Sequence, residues 1–148
     1  DKFIFFEIND ASQLFDIDSN KQQEYKKRLE DGHVFCCLKA GDFLSSYGWI
    51  NPTSSHFFGE LNLKTNYPNT IEVLYDFYTY EDYRGQGLYP LLLQKIWLRN
   101  NKTKIGYALS DNLSSMKGLK KADFKLLAVI KGYNKGRLER LIKKIWVK

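Results

Sequence analysis

Residues 71–99 change from a strand pattern to a helix pattern across one short turn, and this change limits the folds available to the chain. Residues 71–80 are rich in β-branched and aromatic side chains, as is typical of a β-strand. From residue 88 to about 99, apolar residues follow the spacing of one helical face: Leu88, Leu91, Leu92 and Ile96. The chain therefore combines strands and helices around a glycine-containing turn.

The same reasoning assigns the remaining elements. Further strands are predicted at 3–8, 34–39, 43–50, 104–109, 124–131 and 137–147, and helices at 19–30 and after Asn112. Residues 40–42 and 133–136 predict hairpin turns, whereas 52–70 fit either a long loop or an extra hairpin. The order βαβββαβαββ mixes hairpins with a crossover, so we expect an α+β fold with one mixed sheet.

Size and composition are those of one compact domain spanning 1–148. No apolar run approaches the roughly 20 residues that cross a bilayer, and residues 2–8 are too short for a signal sequence. Cys36 and Cys37 are adjacent, and a disulfide between neighbours on a strand would be strained. We therefore predict a soluble, cytoplasmic protein without a membrane partner, although Asp1 need not be its natural start.

Basic residues are concentrated near the C-terminus. The formal net charge is +6, and 117–148 holds eleven basic and two acidic residues, so the preceding part is acidic. This asymmetry fits an anionic ligand, a nucleic acid or a solvated face, and we favour the solvated face.

The turn at 83–90, Tyr-Arg-Gly-Gln-Gly-Leu-Tyr-Pro, has the character of an anion site. Glycines let the backbone tighten and approach a ligand, and the first N–H groups of the following helix attract phosphate oxygens. Pro90 fits the first helical turn, where its missing N–H costs nothing. A dinucleotide fingerprint would need a third glycine at Pro90, and a Walker loop would need Gly-Lys followed by Ser or Thr.

Two segments resemble the GNAT superfamily of acyl-CoA-dependent N-acyltransferases. Arg84, Gly85 and Gly87 match the family's pyrophosphate loop, with Tyr89 where Gly or Ala is usual. Residues 112–124 match the later segment in which an Asn opens a helix and Gly-Phe begins the next strand, here replaced by Asp123-Phe124.

The resemblance implies a binding mode for acetyl-CoA, the expected co-substrate. Acyl-CoA would lie between the strands at 71–80 and 104–109, with pantetheine or thioester on the main chain of Phe77 and Thr79. The backbone N–H groups of Gln86, Gly87, Leu88 and Tyr89 would hold the pyrophosphate, with Arg84 nearby and Gly85 in the same cofactor-binding loop. Asn112 and Ser115 would contact pantetheine, with helix capping as an equal or additional role. Three lysines are either 3′-phosphate ligands or solvated surface: Lys117, Lys120 and Lys121.

Acyl transfer to an amine also needs a group that accepts a proton, because an alkylammonium with a pKa near 10 is mostly unreactive at neutral pH. In a regular strand Glu72 and Asp76 share one face, so Asp76 is our first candidate for the base or the ammonium-binding carboxylate and Glu72 the second. A buried salt bridge is the alternative for either. The family's usual acid tyrosine corresponds to Leu119, and three tyrosines could substitute: Tyr78, Tyr80 and Tyr107.

These observations favour an N-acetyltransferase that moves an acetyl group from acetyl-CoA to a primary amine of a small molecule by direct attack. Six aromatic residues that could line the cleft suit an apolar or sugar-like amine such as an amino sugar: Tyr47, Trp49, Phe57, Phe58, Tyr75 and Tyr80. A protein N-acetyltransferase and a non-catalytic RNA-binding or polyanion-binding module on the same fold are the alternatives, with nucleic acid disfavoured by the few arginines. No metal site is expected, and a homodimer stays open.

Overall fold

The computed structural model describes residues 2–14, 19–133 and 140–148. The strands are β1 (Ile4–Ile8), β2 (Val34–Ala40), β3 (Phe43–Asn51), β4 (Ser55–Phe58), β5 (Leu63–Asn66), β6 (Ile71–Thr79), β7 (Thr103–Leu109), β8 (Lys125–Tyr133) and β9 (Arg140–Val147). The helices are α1 (Ser19–Glu30), α2 (Leu88–Trp97) and α3 (Leu113–Lys121). Residues 52–70 form the extra hairpin, β4 and β5, and without it the order is the predicted βαβββαβαββ. The predicted turn at 133–136 falls mostly on residues outside the described ranges.

Seven strands form one mixed sheet in the order β1-β2-β3-β6-β7-β9-β8. Neighbouring strands are antiparallel except β6 and β7, which are parallel and joined through α2. A parallel pair needs such a crossover, since its strands run in the same direction. The expectation of an α+β fold with a mixed sheet is confirmed.

Two of the three apolar clusters among the described residues lie on opposite faces of the sheet. On one face α2 and α3 pack over Leu74, Ala108 and Trp146, whereas on the other α1 packs through Tyr25 and Leu29. Adjacent strand residues point to opposite faces. Cys36 accordingly lies in the first cluster and Cys37 in the second, and both are buried free thiols.

Within the described ranges, we find no helix that is both long enough and apolar enough to cross a membrane.

Candidate active site

A cleft opens in the middle of the sheet where β6 and β7 diverge. Their pairing runs from Ile71 opposite Thr103 to Leu74 opposite Gly106, and both strands continue beyond it. The separating strands enclose a cleft of about 390 Å³. Phe77, Thr79, Arg84, Tyr89, Asn112 and Ser115 all line it. The structure therefore brings together residues that the sequence assigned to ligand binding from three separate segments.

A β-bulge in β6 determines which side chains face each side of this cleft. Tyr47 pairs with Tyr78 and Trp49 with Tyr75, so Asp76 and Phe77 together oppose Gly48. Asp76 has a φ of 52°, in the left-handed region. A Cβ on Gly48 would lie 2.3 Å from the Phe77 ring, so a glycine is needed opposite the bulge. An extra residue in one strand shifts the alternation of side chains after it.

The bulge makes the prediction of a shared face for Glu72 and Asp76 wrong. Glu72 is 2% exposed and its Oε2 lies 3.0 Å from Nζ of Lys104, which is fully buried. Arg99 Nη1 lies 3.4 Å from the same oxygen, and Asn100 donates a hydrogen bond to Oε1. Burial alone would raise the pKa of Glu72, but the hydrogen bonds from Lys104 and Asn100 outweigh it, so the pKa is lowered. Glu72 forms a buried ion pair and does not line the cleft.

The predicted anion loop has the backbone geometry that such a loop requires. Gly85 and Gly87 have φ values of 76° and 75°, and apart from the glycine and its chain neighbours no residue has an atom within 4 Å of the position of a Cβ on either. Gly87 is the N-cap of α2 and offers no capping side chain, and the first helical bond is from the N–H of Leu91 to its carbonyl. The N–H groups of the preceding residues thus have no partner within the helix.

A second depression, the loop pocket, lies between this loop and α3 and has a volume of about 310 Å³. Lys117 and Lys121 line it together with Arg84. Lys120 instead lies over the Trp146 ring, 5.8 Å from its centre. Two of the three candidate phosphate lysines are therefore beside the loop.

Asn112 and Ser115 combine a capping role with a place in the cleft wall. The Asn112 side chain accepts a hydrogen bond from the Ser115 N–H at 3.0 Å, which caps α3 as its sequence position predicted. The Tyr89 hydroxyl lies 3.3 Å from Ser115 Oγ. Burial raises the pKa of Tyr89 to about 12.

The large side chain of Tyr89 is matched by a small residue on α3. A Cβ on Gly118 would lie 2.1 Å from the Tyr89 ring.

Leu119 is buried and packs toward Gly106, so it contributes no polar group to the cleft.

A third depression, the side pocket, adjoins the cleft on the α1 face and has a volume of about 410 Å³. Four residues line both it and the cleft: Glu60, Tyr75, Asp76 and Tyr107. Helix α1 adds both charges and an aromatic ring: Lys21, Glu24, Tyr25 and Arg28. Three carboxylates face two cations, so the pocket carries a net negative charge and attracts a cationic ligand.

Asp76 joins the cleft to this pocket through an ion pair. Arg28 Nη1 donates to Asp76 Oδ2 at 2.6 Å, and its other terminal nitrogen pairs with Glu24. The guanidinium lies 5.1 Å from the ring centres of Tyr25, Trp49 and Tyr75. Cation–π contacts and paired carboxylates hold Arg28 in place. Asp76 is therefore a partly exposed, oriented carboxylate at the junction.

The predicted aromatic lining is mostly wrong, because those side chains build the core. Tyr47, Trp49 and Phe58 are at most 3% exposed, and Tyr80 packs with the α1-face cluster. Phe57 is exposed but lines none of the three depressions. Of the six, only Tyr75 lines the cleft and the side pocket.

The sequence did not predict that Arg28, Glu24 and Glu60 contribute to the side pocket. They come from α1 and from the short turn between β4 and β5, and no motif in either segment marks them. Only the fold brings them to Asp76. Across the described part of the chain, no group of three or more His, Cys, Asp or Glu side chains is arranged to hold a metal ion.

Solved structures share this architecture. Salmonella typhimurium yncA, solved with its cofactor acetyl-CoA, is 14% identical and has a TM-score of 0.67, with 100% of this chain and 94% of that chain covered. Arabidopsis thaliana NAA60 in complex with acetyl-CoA is 13% identical, with a TM-score of 0.67 and coverage of 99% and 97%.

A third structure, a GNAT-family acetyltransferase from Bacillus cereus, is 10% identical, with a TM-score of 0.65 and coverage of 99% and 96%. No protein-family model and no curated protein matches the sequence. The chain has the GNAT acetyltransferase fold.

Proposed function

We propose that this chain, with its GNAT acetyltransferase fold, is an acyl-CoA-dependent N-acetyltransferase that transfers an acetyl group from acetyl-CoA to a primary amine of a small molecule. The observation that carries the proposal is the divergence of β6 and β7 directly beside the glycine loop at the start of α2. The gap between the diverging strands suits the extended pantetheine arm, and the glycine loop at the start of α2 suits a phosphate group.

The phosphates of the donor would lie at the loop. The backbone N–H groups from Gly85 to Tyr89 and the start of α2 would hold the pyrophosphate. Arg84 is held by its own contacts, donating from Nε to the Thr79 carbonyl at 3.1 Å and pairing with Glu81. Lys117 and Lys121 offer positive charge for the 3′-phosphate.

The pantetheine arm would run along the cleft toward the point where the strands diverge. Past Leu74 and Gly106, the main chain of β6 is no longer paired to β7, so Phe77 and Thr79 can present backbone groups to the arm. An N–H there would stabilise the oxyanion that forms when the amine attacks the thioester carbonyl. Asn112 and Ser115 form the opposite wall.

The amine would enter from the side pocket, whose net negative charge attracts an ammonium group. Asp76 would receive this group and accept its proton, directly or through water, while Arg28 keeps Glu24 as a partner. The amine nitrogen then forms the bond to the acetyl carbon, and the C–S bond breaks to release the CoA thiolate. A thiol with a pKa near 8.5 leaves readily as the thiolate, so Leu119 in the usual acid position is tolerable.

The variant Asp76→Asn tests the proposal. The assay measures the release of CoA thiol from acetyl-CoA in the presence of a panel of primary amines. Asparagine tolerates the left-handed backbone of this position, so the bulge should survive. We expect the wild type to turn over and the variant to lose about 10²-fold to 10⁴-fold in kcat with unchanged acetyl-CoA affinity.

The matched control is Asp42→Asn, which changes an exposed carboxylate in the turn between β2 and β3. It should behave as the wild type. A fully active Asp76→Asn variant would remove Asp76 from the mechanism. A wild type that neither binds acetyl-CoA nor releases thiol with any amine would refute the proposed function.

A further inference from the structure

Tyr89 stands between the loop pocket and the cleft. Four residues line both depressions: Thr79, Arg84, Tyr89 and Ser114. In the proposed binding mode, the phosphates of the donor lie at the loop and its thioester lies in the cleft. The pantetheine arm must therefore pass from one depression to the other beside Tyr89, which has the only aromatic side chain of the four.

Packing on two sides determines where the Tyr89 ring lies. Its centre is 5.1 Å from that of the Phe77 ring on β6. On α3 it occupies the space that Gly118 leaves, where a Cβ would lie 2.1 Å from the ring. The ring therefore extends from α2 to both β6 and α3, which gives its hydroxyl a defined position in the cleft wall.

The hydroxyl of Tyr89 forms a pair with that of Ser115. The two oxygens lie 3.3 Å apart, and both side chains line the cleft. Ser115 is positioned in turn by its N–H, which donates to the Asn112 side chain at 3.0 Å. Each hydroxyl has one hydrogen and two acceptor lone pairs, and the bond between them uses one hydrogen and one lone pair. The pair can therefore offer both a donor and acceptors to a ligand in the cleft.

This hydroxyl pair suits a neutral group that both donates and accepts hydrogen bonds. Burial raises the pKa of Tyr89 to about 12, so the phenol is uncharged at neutral pH. A phosphate is better matched by the N–H groups and lysines at the loop. The pantetheine arm contains two secondary amides, each with an N–H donor and a carbonyl acceptor. Leaving such groups unpaired in a protein cleft is costly, so an amide that passes Tyr89 gains from this pair.

We propose that the hydroxyl pair of Tyr89 and Ser115 hydrogen-bonds an amide of the pantetheine arm, so that the Tyr89 side chain is a donor-binding group. This inference rests on the proposed function and deepens it. Tyr89 then holds the donor at two points, with its backbone N–H at the pyrophosphate and its hydroxyl at the arm. Recognition of the arm involves side chains as well as the main chain of β6.

The test compares the binding of acetyl-CoA with that of adenosine 3′,5′-bisphosphate, which keeps the nucleotide but lacks the arm. Calorimetry measures the first ligand directly and the second by displacement of acetyl-CoA. Tyr89→Phe keeps the ring and removes the hydroxyl. We expect this variant to bind acetyl-CoA about threefold to tenfold more weakly, as the loss of one hydrogen bond predicts, and the bisphosphate within about twofold of the wild type.

Three further variants separate contact from packing. Ser115→Ala keeps the N–H that caps α3 and should show the same selective loss. The double variant should lose less than the product of the two single losses, because the hydroxyls act as one unit. Tyr67→Phe removes a hydroxyl from a tyrosine that lines none of the three depressions, and it should bind both ligands as the wild type does.

The outcomes distinguish this inference from the function on which it rests. An unchanged acetyl-CoA affinity in Tyr89→Phe, or an equal loss for both ligands, would overturn the inference, and thiol release by the wild type would leave the proposed function standing. A selective loss without thiol release from any amine would support the inference and overturn the proposed transfer. A wild type that does not bind acetyl-CoA would overturn both.

Discussion

Glu72→Gln should destabilise the protein without disabling its chemistry. In the wild type, Nζ of Lys104 has no exposure to water and is satisfied by three oxygens, from Glu72, Asn100 and the Lys102 carbonyl. Of these three partners only Glu72 is charged, so the substitution leaves the Lys104 ammonium with neutral oxygens alone. Breaking a buried pair from one side costs about 3–5 kcal/mol, since the remaining ion stays desolvated.

For a domain of this size, that loss corresponds to a fall in Tm of about 10–15 °C. Thermal unfolding followed by circular dichroism at pH 7 measures it. The double variant Glu72→Gln with Lys104→Met removes both charges of the pair and should recover most of the loss, because Lys104 is no longer a buried unpaired ion and Arg99 keeps Glu7 as its partner. Thiol-release assays well below the Tm of the single variant should give a kcat near that of the wild type.

The pH dependence gives an independent check with a defined sign. The pKa of Glu72 is lower in the folded protein than its ordinary value of 4.5, so its stabilising contribution is complete above that value and is lost as the pH falls through the folded pKa. The gap in stability between wild type and Glu72→Gln should narrow in acid. A Tm unchanged by the substitution at pH 7, or a loss of kcat without a loss of stability, would refute the structural role given to Glu72.

Two other predictions follow from packing. Gly118→Ala should displace the Tyr89 ring, since the new Cβ would lie 2.1 Å from it. We expect the substitution to lower stability by about 1–3 kcal/mol and to weaken acetyl-CoA binding. An unchanged Tm and an unchanged affinity would contradict this. Burial raises the pKa of both cysteines, for Cys37 to about 11, so a thiol reagent at pH 8 should modify neither Cys36 nor Cys37 until the protein unfolds. Rapid labelling of the native protein would count against the buried positions.

The sequence predicted the element order and the glycine loop because these depend on local signals. Strand and helix periodicity marks β6 and α2, and glycine is the residue that adopts the positive φ of Gly85 and Gly87 at least cost. Asn112 was predictable as a cap for the same reason, since its side chain bonds to a backbone group three residues away.

The parts of the site that were not predicted depend on tertiary contacts. The bulge at Asp76 has no glycine of its own, and the glycine that accommodates it, Gly48, lies on the neighbouring strand. Arg28 reaches Asp76 from a helix 48 residues earlier in the chain. Two of the aromatic residues predicted to line the cleft, Tyr47 and Trp49, pack under α1 instead, because burying a large ring stabilises the core.

Acetyl-CoA binding by calorimetry, with wild type, Gly87→Glu and Gly41→Glu compared at moderate salt, tests the central claim most directly. Gly41 also has a positive φ, 61°, and beyond its chain neighbours no residue has an atom within 4 Å of its Cβ position, but it lies in the turn between β2 and β3. The Gly41→Glu variant therefore shows the effect of the strain that a glutamate causes on a backbone with positive φ. We predict binding by the wild type and by Gly41→Glu, and none by Gly87→Glu, whose carboxylate would face the pyrophosphate. Equal binding by all three proteins, or none by the wild type, would contradict the account.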